Sequence, residues 1–334
     1  MSAAILAEGL TKEFSRYRRA GVLRRRRTVV RAVDAISFQV RPGEMVGYIG
    51  PNGAGKSTTV KMLIGILFPS AGAARVAGLD PAAQRVALAR RIGVVFGQRR
   101  QLWWDLPLRI SFDLLRHVYR VPEPRFRRNL ARFVELLELG PFLDTPVRQL
   151  SLGQVMRGEL TAALLHDPEA VFLDEPTIGL DVESKARTLD LLVAMNRERG
   201  ITVMMTTHNV GDLERVCPRM LIIDEGRLVF DGPVDEIRRF GTERTLVVDL
   251  ETPRPPLAIA GVEGVRVDGR RQWLRFHRDR VSAPALIARV AAAEAVVDLA
   301  VEETPIEEII RRIYREGMDG VSAEAVAVPA RVHA

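Results

Sequence analysis

Apolar positions along this chain switch between two rhythms, and the switches predict its elements. Over residues 3–49 the rhythm is that of short strands: Ile5–Leu10, then Ala35–Val40 with alternating apolar positions, then Met45–Ile49. The last reads as a buried strand running straight into a glycine-rich turn. From Ser57 to Leu67 the pattern turns helical, with Val60, Leu63, Ile64 and Leu67 on one face. Ile92–Phe96 reads as a further buried strand. Leu108 to about Leu165 is mostly helical, broken by a turn at Val121–Pro124 and a loop at Gly140–Pro146. Val171–Leu173, Thr202–Met205 and Met220–Ile223 read as core strands with helices between them. This alternation predicts an α/β sheet carrying a helical insertion at about residues 105–165.

Composition changes near Asp231-Gly232-Pro233, and a short helix then runs to Phe240. Thr245–Leu250 opens a second, smaller unit. Val262–Val267 and Gln272–His277 flank Asp268-Gly269, a hairpin signal. A helix at about Pro284–Glu294 and a strand at Val296–Val301 follow. Thr304, Pro305 and Glu307 read as a capping box opening the last helix, whose Ile306, Ile309, Ile310 and Ile313 share one face that must be packed. The expected division is residues 1–240, a small α+β domain at 241–318, and a frayed, flexible tail at 319–334.

Composition sets bounds on this picture. The 334 residues suffice for two domains, and 47% hydrophobic with 27% charged residues is the make-up of a folded globular chain. No stretch approaches the roughly 18 uninterrupted apolar residues of a membrane-spanning helix. The N-terminus lacks the succession expected of a secretory signal. A lone cysteine, Cys217, excludes an internal disulfide and a cysteine-rich metal site. The formal charge of +7 is partly local: Arg18, Arg19 and Arg24 to Arg27 fall in a stretch, about 15–31, without acidic residues. That stretch reads either as a solvated insertion between two strands or as a contact for lipid headgroups or a membrane partner. Tyr17 is its sole aromatic, so the interleaved stacking platform of single-strand binders is missing and no nucleic-acid partner is expected.

Three motifs carry chemistry. Gly50-Pro51-Asn52-Gly53-Ala54-Gly55-Lys56-Ser57 fits G-x-x-x-x-G-K-[ST] between a predicted strand and helix, with Thr58 following. Its backbone N–H groups can turn inward onto phosphate oxygens, and the following helix adds its positive end. Lys56 would reach the β- and γ-phosphates of ATP, and the Ser57 hydroxyl would ligate Mg²⁺. Val171-Phe172-Leu173-Asp174-Glu175 is an apolar strand ending in two carboxylates, where ligands of parallel sheets bind. Asp174 suits the Mg²⁺ shell, and Glu175 suits a general base acting on water. Leu150-Ser151-Leu152-Gly153-Gln154, followed by Arg157, reads as a helix start presenting Ser151 and the Gly153 amide to a phosphate.

This last motif resembles the signature of ABC ATPases, usually L-S-G-G-Q, with Leu152 standing in place of a glycine. The resemblance spans about residues 4–240 and implies a P-loop NTPase fold of ABC type with a helical subdomain. It implies that Gln98 reaches Mg²⁺ and the attacking water, that Asp181 lies in a loop crossing between paired subunits, and that His208 contacts the γ-phosphate. A lone histidine can equally be structural. Phe14 is the match to the aromatic that stacks on adenine, with Tyr17 its rival. Ser151, Gly153 and Gln154 would face the ATP held by a second copy, so the resemblance implies a homodimer sandwiching two ATPs. Val94 to Gln98 with Leu102 to Pro107 is similar to the ATPases of type-2, export-associated permeases, close to drug-resistance ATPases. Trp103 and Trp104 would then meet a multispanning permease, or else pack in the core. The implied setting is peripheral, at the cytoplasmic face of the inner membrane. A nucleic-acid- or ribosome-associated ABC ATPase and a mechanical signalling motor are the alternatives.

Overall fold

The computed structural model describes residues 3–19, 25–97, 100–207 and 209–326. They cluster into two units, residues 1–232 and 233–334.

The first unit opens with β1 (Ile5–Arg19) and β2 (Arg25–Val40), which pair antiparallel from Ile5↔Val40 to Arg19↔Arg25. The described parts of the arginine-rich stretch, residues 15–19 and 25–31, therefore belong to the two strands themselves. Its described backbone continues both strands, as suits the β-branched run Thr28-Val29-Val30. Then come β3 (Met45–Ile49) and α1 (Lys56–Leu63). This helix stops short of the expected Leu67, because Gly65 turns left-handed with φ 76°. A side chain there would also lie 2.5 Å from the Pro81 carbonyl.

Next come β4 (Ala71–Val76), α2 (Arg85–Ala89) and β5 (Ile92–Phe96). Neither β4 nor α2 is marked by an apolar rhythm in the sequence. Strand β4 joins β1 to complete a three-stranded sheet of order β2-β1-β4. The helical region follows as α3 (Leu108–Tyr119), α4 (Glu123–Leu136) and α5 (Leu152–Leu164). Helix α3 buries Leu108, Ser111, Phe112 and Leu115, one stripe at helical spacing. Helix α5 is buried almost all round from Val155 to Leu164, which makes it the axis of this region.

Alternation then resumes with β6 (Ala170–Asp174), α6 (Val182–Arg199), β7 (Thr202–Thr206), α7 (Val210–Val216), β8 (Arg219–Asp224) and β9 (Arg227–Pro233). The main sheet has the order β5-β6-β7-β3-β8-β9, with β5, β6, β7, β3 and β8 parallel. Strands β3 and β7 are buried throughout, as expected of strands covered on both faces. Because these strands are parallel, every loop that follows one of them emerges on the same edge.

The second unit comprises α8 (Val234–Arg239), β10 (Glu243–Leu250), β11 (Val262–Asp268), β12 (Arg271–His277), α9 (Ala283–Ala293), β13 (Val296–Glu303) and α10 (Ile306–Val326). Its sheet runs β11-β12-β10-β13 with antiparallel pairs. Leu246, Val248, Leu274, Phe276, Leu286 and Val290 form its core. Ile306, Ile309, Ile310 and Ile313 are buried, so the apolar face read from the sequence is packed.

One local expectation is corrected in this unit. The Thr304 hydroxyl donates to the Glu243 carbonyl at 2.7 Å instead of capping α10, and the first turn closes on the Pro305 carbonyl. The backbone is helical through Val326, apart from Gly317 at φ 71°, and residues 327–334 of the tail expected to fray lie outside the described residues. No helix among the described residues is long and apolar enough to cross a membrane.

Candidate functional site

Four strand ends converge on one edge of the main sheet. Strand β3 delivers Gly50 to Lys56, β5 delivers Gly97, β6 delivers Asp174 and Glu175, and β7 delivers Thr206 and Thr207. The strand order turns around β3, whose neighbours are β7 and β8, and the carboxyl edge at such a switch is where α/β sheets take ligands.

The phosphate loop is held from outside by close backbone contacts. A side chain on Gly50 would lie 2.3 Å from the Ile223 carbonyl, and one on Gly55 2.5 Å from that of Ala32. Gly53 and Gly55 also take φ values of 86° and 109°, which glycine adopts without cost. Gly55 leads directly into α1, whose first turn has no side-chain cap and no acidic residue. Its leading N–H groups therefore suit an anion. Asn52, Gly53 and Ser57 are exposed, Thr58 half-buried, and Ala54 buried.

The Lys56 ammonium is buried and donates to the carbonyls of Gly50 at 2.5 Å and Pro51 at 3.1 Å. Burial holds it below the usual lysine value, with the Glu175 and Asp174 charges pulling it back up. A side chain that trades its own loop's carbonyls for a phosphate keeps its hydrogen bonds and gains a full opposite charge.

A cavity of about 310 Å³ adjoins this loop, lined by Ser57, Lys61, Phe96, Gly97, Asp174 and Glu175 among others. A larger one, about 670 Å³, opens at the amino ends of β6 and β7 beside Asp167 and Arg199. Those two groups already pair with each other, whereas Ser57 of the phosphate loop and the Asp174-Glu175 pair line the smaller cavity. Asp174 is oriented by the Thr206 hydroxyl, which donates to its Oδ1 at 2.5 Å. Glu175 has φ 56°, a left-handed conformation that bulky residues rarely adopt. It is held there because its N–H donates to the Thr206 carbonyl at 2.9 Å and its carbonyl accepts from Ile178 at 3.3 Å. Such backbone strain at a strand end aims the side chain, and it gathers at functional sites.

The Ser151 motif opens α5 as a reciprocal capping box. The Ser151 hydroxyl accepts from the Gln154 N–H at 3.3 Å, and Gln154 Oε1 accepts from the Ser151 N–H at 2.8 Å. A hydroxyl that accepts in this way still carries a proton to donate. Asp181 caps α6, accepting from the Ser184 N–H at 2.9 Å and its hydroxyl at 2.7 Å. These bonds hold the Asp181 carboxyl below its usual range. The two helix starts touch: a side chain on Gly153 would lie 2.7 Å from the Ser184 hydroxyl. Leu152, by contrast, is 42% exposed and lies over Gly179, so it fills space beside the helix start and away from the Gly153–Ser184 contact.

Phe14 stands on β1, 39% exposed, with the Lys12 ammonium 5.4 Å from its ring centroid. The side chain of Tyr17, and the whole of Gln98 and His208, lie outside the described residues. Trp103 and Trp104 are 41% and 52% exposed, so the core-packing reading of this pair does not hold. Three supporting residues escaped the sequence reading: Thr206, Ser184 and the buried Glu159 on α5. Only Thr206, a polar residue ending a buried strand, left a signal that could have been followed.

The ABC transporter family model matches residues 33–178. The Nod factor export ATP-binding protein I of Paraburkholderia xenovorans (strain LB400) is 38% identical over 201 residues, 60% of this chain. That match spans 65% of the relative's own length. The daunorubicin resistance ATP-binding protein DrrA3 of Streptomyces coeruleorubidus is 34% identical over 289 residues, 84% of this chain and 90% of that one. Among solved structures, an ATP-binding subunit of an ABC transporter superposes with a TM-score of 0.61 at 26% identity, covering 71% of this chain and 92% of its own. With the strand-end geometry and a relative matched over nine-tenths of its length, the chain belongs to the ABC transporter family of ATP-binding proteins.

Proposed function

We propose that this chain binds ATP with Mg²⁺ at the carboxyl edge of the main sheet, hydrolyses it, and drives export through separate permease subunits. The observation that carries the reading is that Ser57, Asp174 and Glu175 line one cavity beside the phosphate loop, with both carboxylate charges acting on the buried Lys56 ammonium. In this reading the loop amides and Lys56 take the β- and γ-phosphates. Glu175 orients a water for attack on the γ-phosphorus and takes its proton; the β–γ bridge oxygen leaves with ADP. His208 contacts the γ-phosphate, and Phe14, or its rival Tyr17, stacks on adenine.

Among the described residues no group of three or more His, Cys, Asp or Glu could hold a metal ion alone. The Ser57 hydroxyl and the Asp174 carboxylate are hard oxygen donors on the same cavity, which suits a cation shared with nucleotide oxygens. With Gln98 they would hold Mg²⁺, which neutralises charge on the phosphates when bound.

Ser151, Gly153, Gln154 and Asp181 complete the site from a second copy, forming a homodimer that closes on two ATPs and reopens after hydrolysis. The setting is peripheral, at the cytoplasmic face of the inner membrane. Export is supported by relatives named for Nod factor export and daunorubicin resistance. The test is Glu175→Gln, which keeps the acceptor oxygen but removes the base. It should dimerise in ATP, read by size-exclusion with light scattering, and release no phosphate. Wild-type-like hydrolysis by this variant overturns the assignment of Glu175. Copurification with a multispanning membrane protein, followed by ATPase assay of that complex, tests the coupling to transport.

A further inference from the structure

Glu159 is a buried carboxylate in the most buried helix of the first unit. It sits on α5, 3% exposed, among Val155, Met156, Leu160 and Ala162. A carboxylate removed from water is costly unless its lone pairs are matched. Here they are matched by main-chain N–H groups. The Gln101 N–H donates to both carboxylate oxygens at 3.0 Å, and the Leu102 N–H donates to Oε1 at 3.2 Å. The acceptor lies on the helix that Ser151 opens, eight residues on, or about 12 Å along its axis.

Two further attachments fix the same segment. The Leu102 side chain sits directly on the glycine before Glu159, since a side chain on Gly158 would lie 2.9 Å from Leu102 Cδ1. The Gln101 amide donates back to the Val94 carbonyl of β5 at 2.5 Å. Just beyond, the chain makes a turn in which the Leu106 N–H donates to the Trp103 carbonyl at 3.1 Å. That turn carries the exposed Trp103 and Trp104, and the Arg100 guanidinium lies 4.6 Å from the Trp104 ring centroid. It is also bound to the stretch that leads into Ser151, through Arg148 N–H to the Trp104 carbonyl at 3.0 Å and Val147 N–H to that of Leu106 at 3.1 Å.

We infer that Glu159 is a positioning residue, clamping the tryptophan turn to the Ser151 helix so that the two move as one body. A carboxylate serves this purpose where an apolar residue could not, because it grips backbone rather than a side chain. Three charge-assisted bonds onto two successive residues leave the segment no freedom to slide along α5. Any displacement of Trp103 and Trp104 is thereby delivered to the start of α5, and any nucleotide contact at Ser151 is felt at the tryptophans. The inference rests on reading Ser151 as a nucleotide-facing helix start, and goes beyond it by naming the element that links that start to a distant surface.

The chain has three tryptophans, so Trp273→Phe leaves Trp103 and Trp104 as the reporters. In that background with Glu175→Gln, ATP and Mg²⁺ are titrated while tryptophan emission is followed, and ATP affinity is measured separately by calorimetry. The expected result is a nucleotide-dependent emission change that Glu159→Gln largely abolishes, with ATP affinity held within about threefold. Gln101→Ala cuts only the side-chain bond to Val94 and is expected to weaken the same response, giving a second reading should Glu159→Gln fold poorly. A full response in these variants overturns the clamp. So does a response lost together with ATP affinity, which would make Glu159 merely structural. Failure of the parent protein to bind ATP would instead sink the nucleotide-site reading, and the clamp with it.

Discussion

Thr206 and Asp174 end adjacent parallel strands, and the Thr206 hydroxyl donates to Asp174 Oδ1 across 2.5 Å. That bond occupies one carboxylate oxygen and fixes the plane of the group, so the other oxygen is presented in one direction. Outer partners of this kind typically change metal affinity 10- to 100-fold when removed. Thr206→Val keeps the shape of the side chain and deletes the donor. We expect it to raise the Mg²⁺ concentration needed for half-maximal ATPase activity by roughly tenfold, with ATP binding little altered. A Mg²⁺ titration of phosphate release matching that of the unaltered protein would refute this role.

Leu152 and Gly153 are neighbours with opposite tolerances. A methyl group on Gly153 would come 2.7 Å from the Ser184 hydroxyl, which is itself bonded to Asp181. Gly153→Ala must therefore push Ser184 aside and disturb two helix starts together. Leu152 projects over Gly179 and is partly exposed, so Leu152→Gly removes contact area without touching the α5 cap. We expect Gly153→Ala to lower ATPase turnover by about tenfold or more, a barrier change of ~1.4 kcal/mol, and Leu152→Gly to change it by less than about threefold. Equal losses in steady-state assays of the two variants would count against this division.

Asp181 combines a cap made within its own chain with a proposed place at the dimer boundary. Asparagine caps helices about as well as aspartate, whereas alanine does not. Asp181→Ala is accordingly expected to lower the melting temperature by roughly 2–4 °C, and Asp181→Asn by much less. If Asp181 also acts across the dimer through its charge, Asp181→Asn will lower ATPase activity while keeping the melting temperature. Calorimetry and phosphate release on the two variants separate these roles. Full activity in Asp181→Asn would confine the residue to capping.

These tests follow the line between what the sequence displays and what only folding assembles. The phosphate loop and the Asp174-Glu175 pair are legible because each is a contiguous run whose flanking apolar strand announces its own burial. Thr206 is not legible as a partner of Asp174, because the two meet through strand order across 32 residues of sequence. Ser184 looks like an ordinary early-helix serine until Gly153 is seen against it. Glu159 is misleading in sequence: a lone acid in an Ala/Leu-rich helix suggests a solvated face, yet it is buried against main-chain donors. Strand β4 is not legible, since Ala71-Gly72-Ala73-Ala74 carries no alternation, and its pairing with β1 supplies the order that propensity lacks. The arginine stretch misled in the other direction, since charge suggests a loop while strand pairing depends on backbone.

His166 offers a test of the helical region by pH. Its ring stacks on Tyr119, with centroids 4.0 Å apart and planes within 2°, and Nε2 lies 3.0 Å from the Ile92 carbonyl. In the neutral ring Nε2 donates that bond, while Nδ1 is buried without a hydrogen-bond partner. Protonation would place a charge at Nδ1 with nothing to receive it, and burial accordingly pushes the pKa down from 6.5 to about 4. A depressed histidine favours the unfolded chain as acid is added, because the unfolded imidazole takes up its proton first. The stabilisation is therefore complete above about pH 6.5 and is lost progressively as pH falls towards about 4. Its full size is on the order of 3 kcal/mol. His166→Phe keeps the stack but cannot titrate. It should be less stable than the parent at pH 7.5 by ~1 kcal/mol for the lost hydrogen bond. Between pH 7.5 and 4.5 it should lose about 2–3 kcal/mol less than the parent does. Urea unfolding at both pH values measures the difference. Parallel losses in the two proteins would show that His166 does not set the acid sensitivity of this unit.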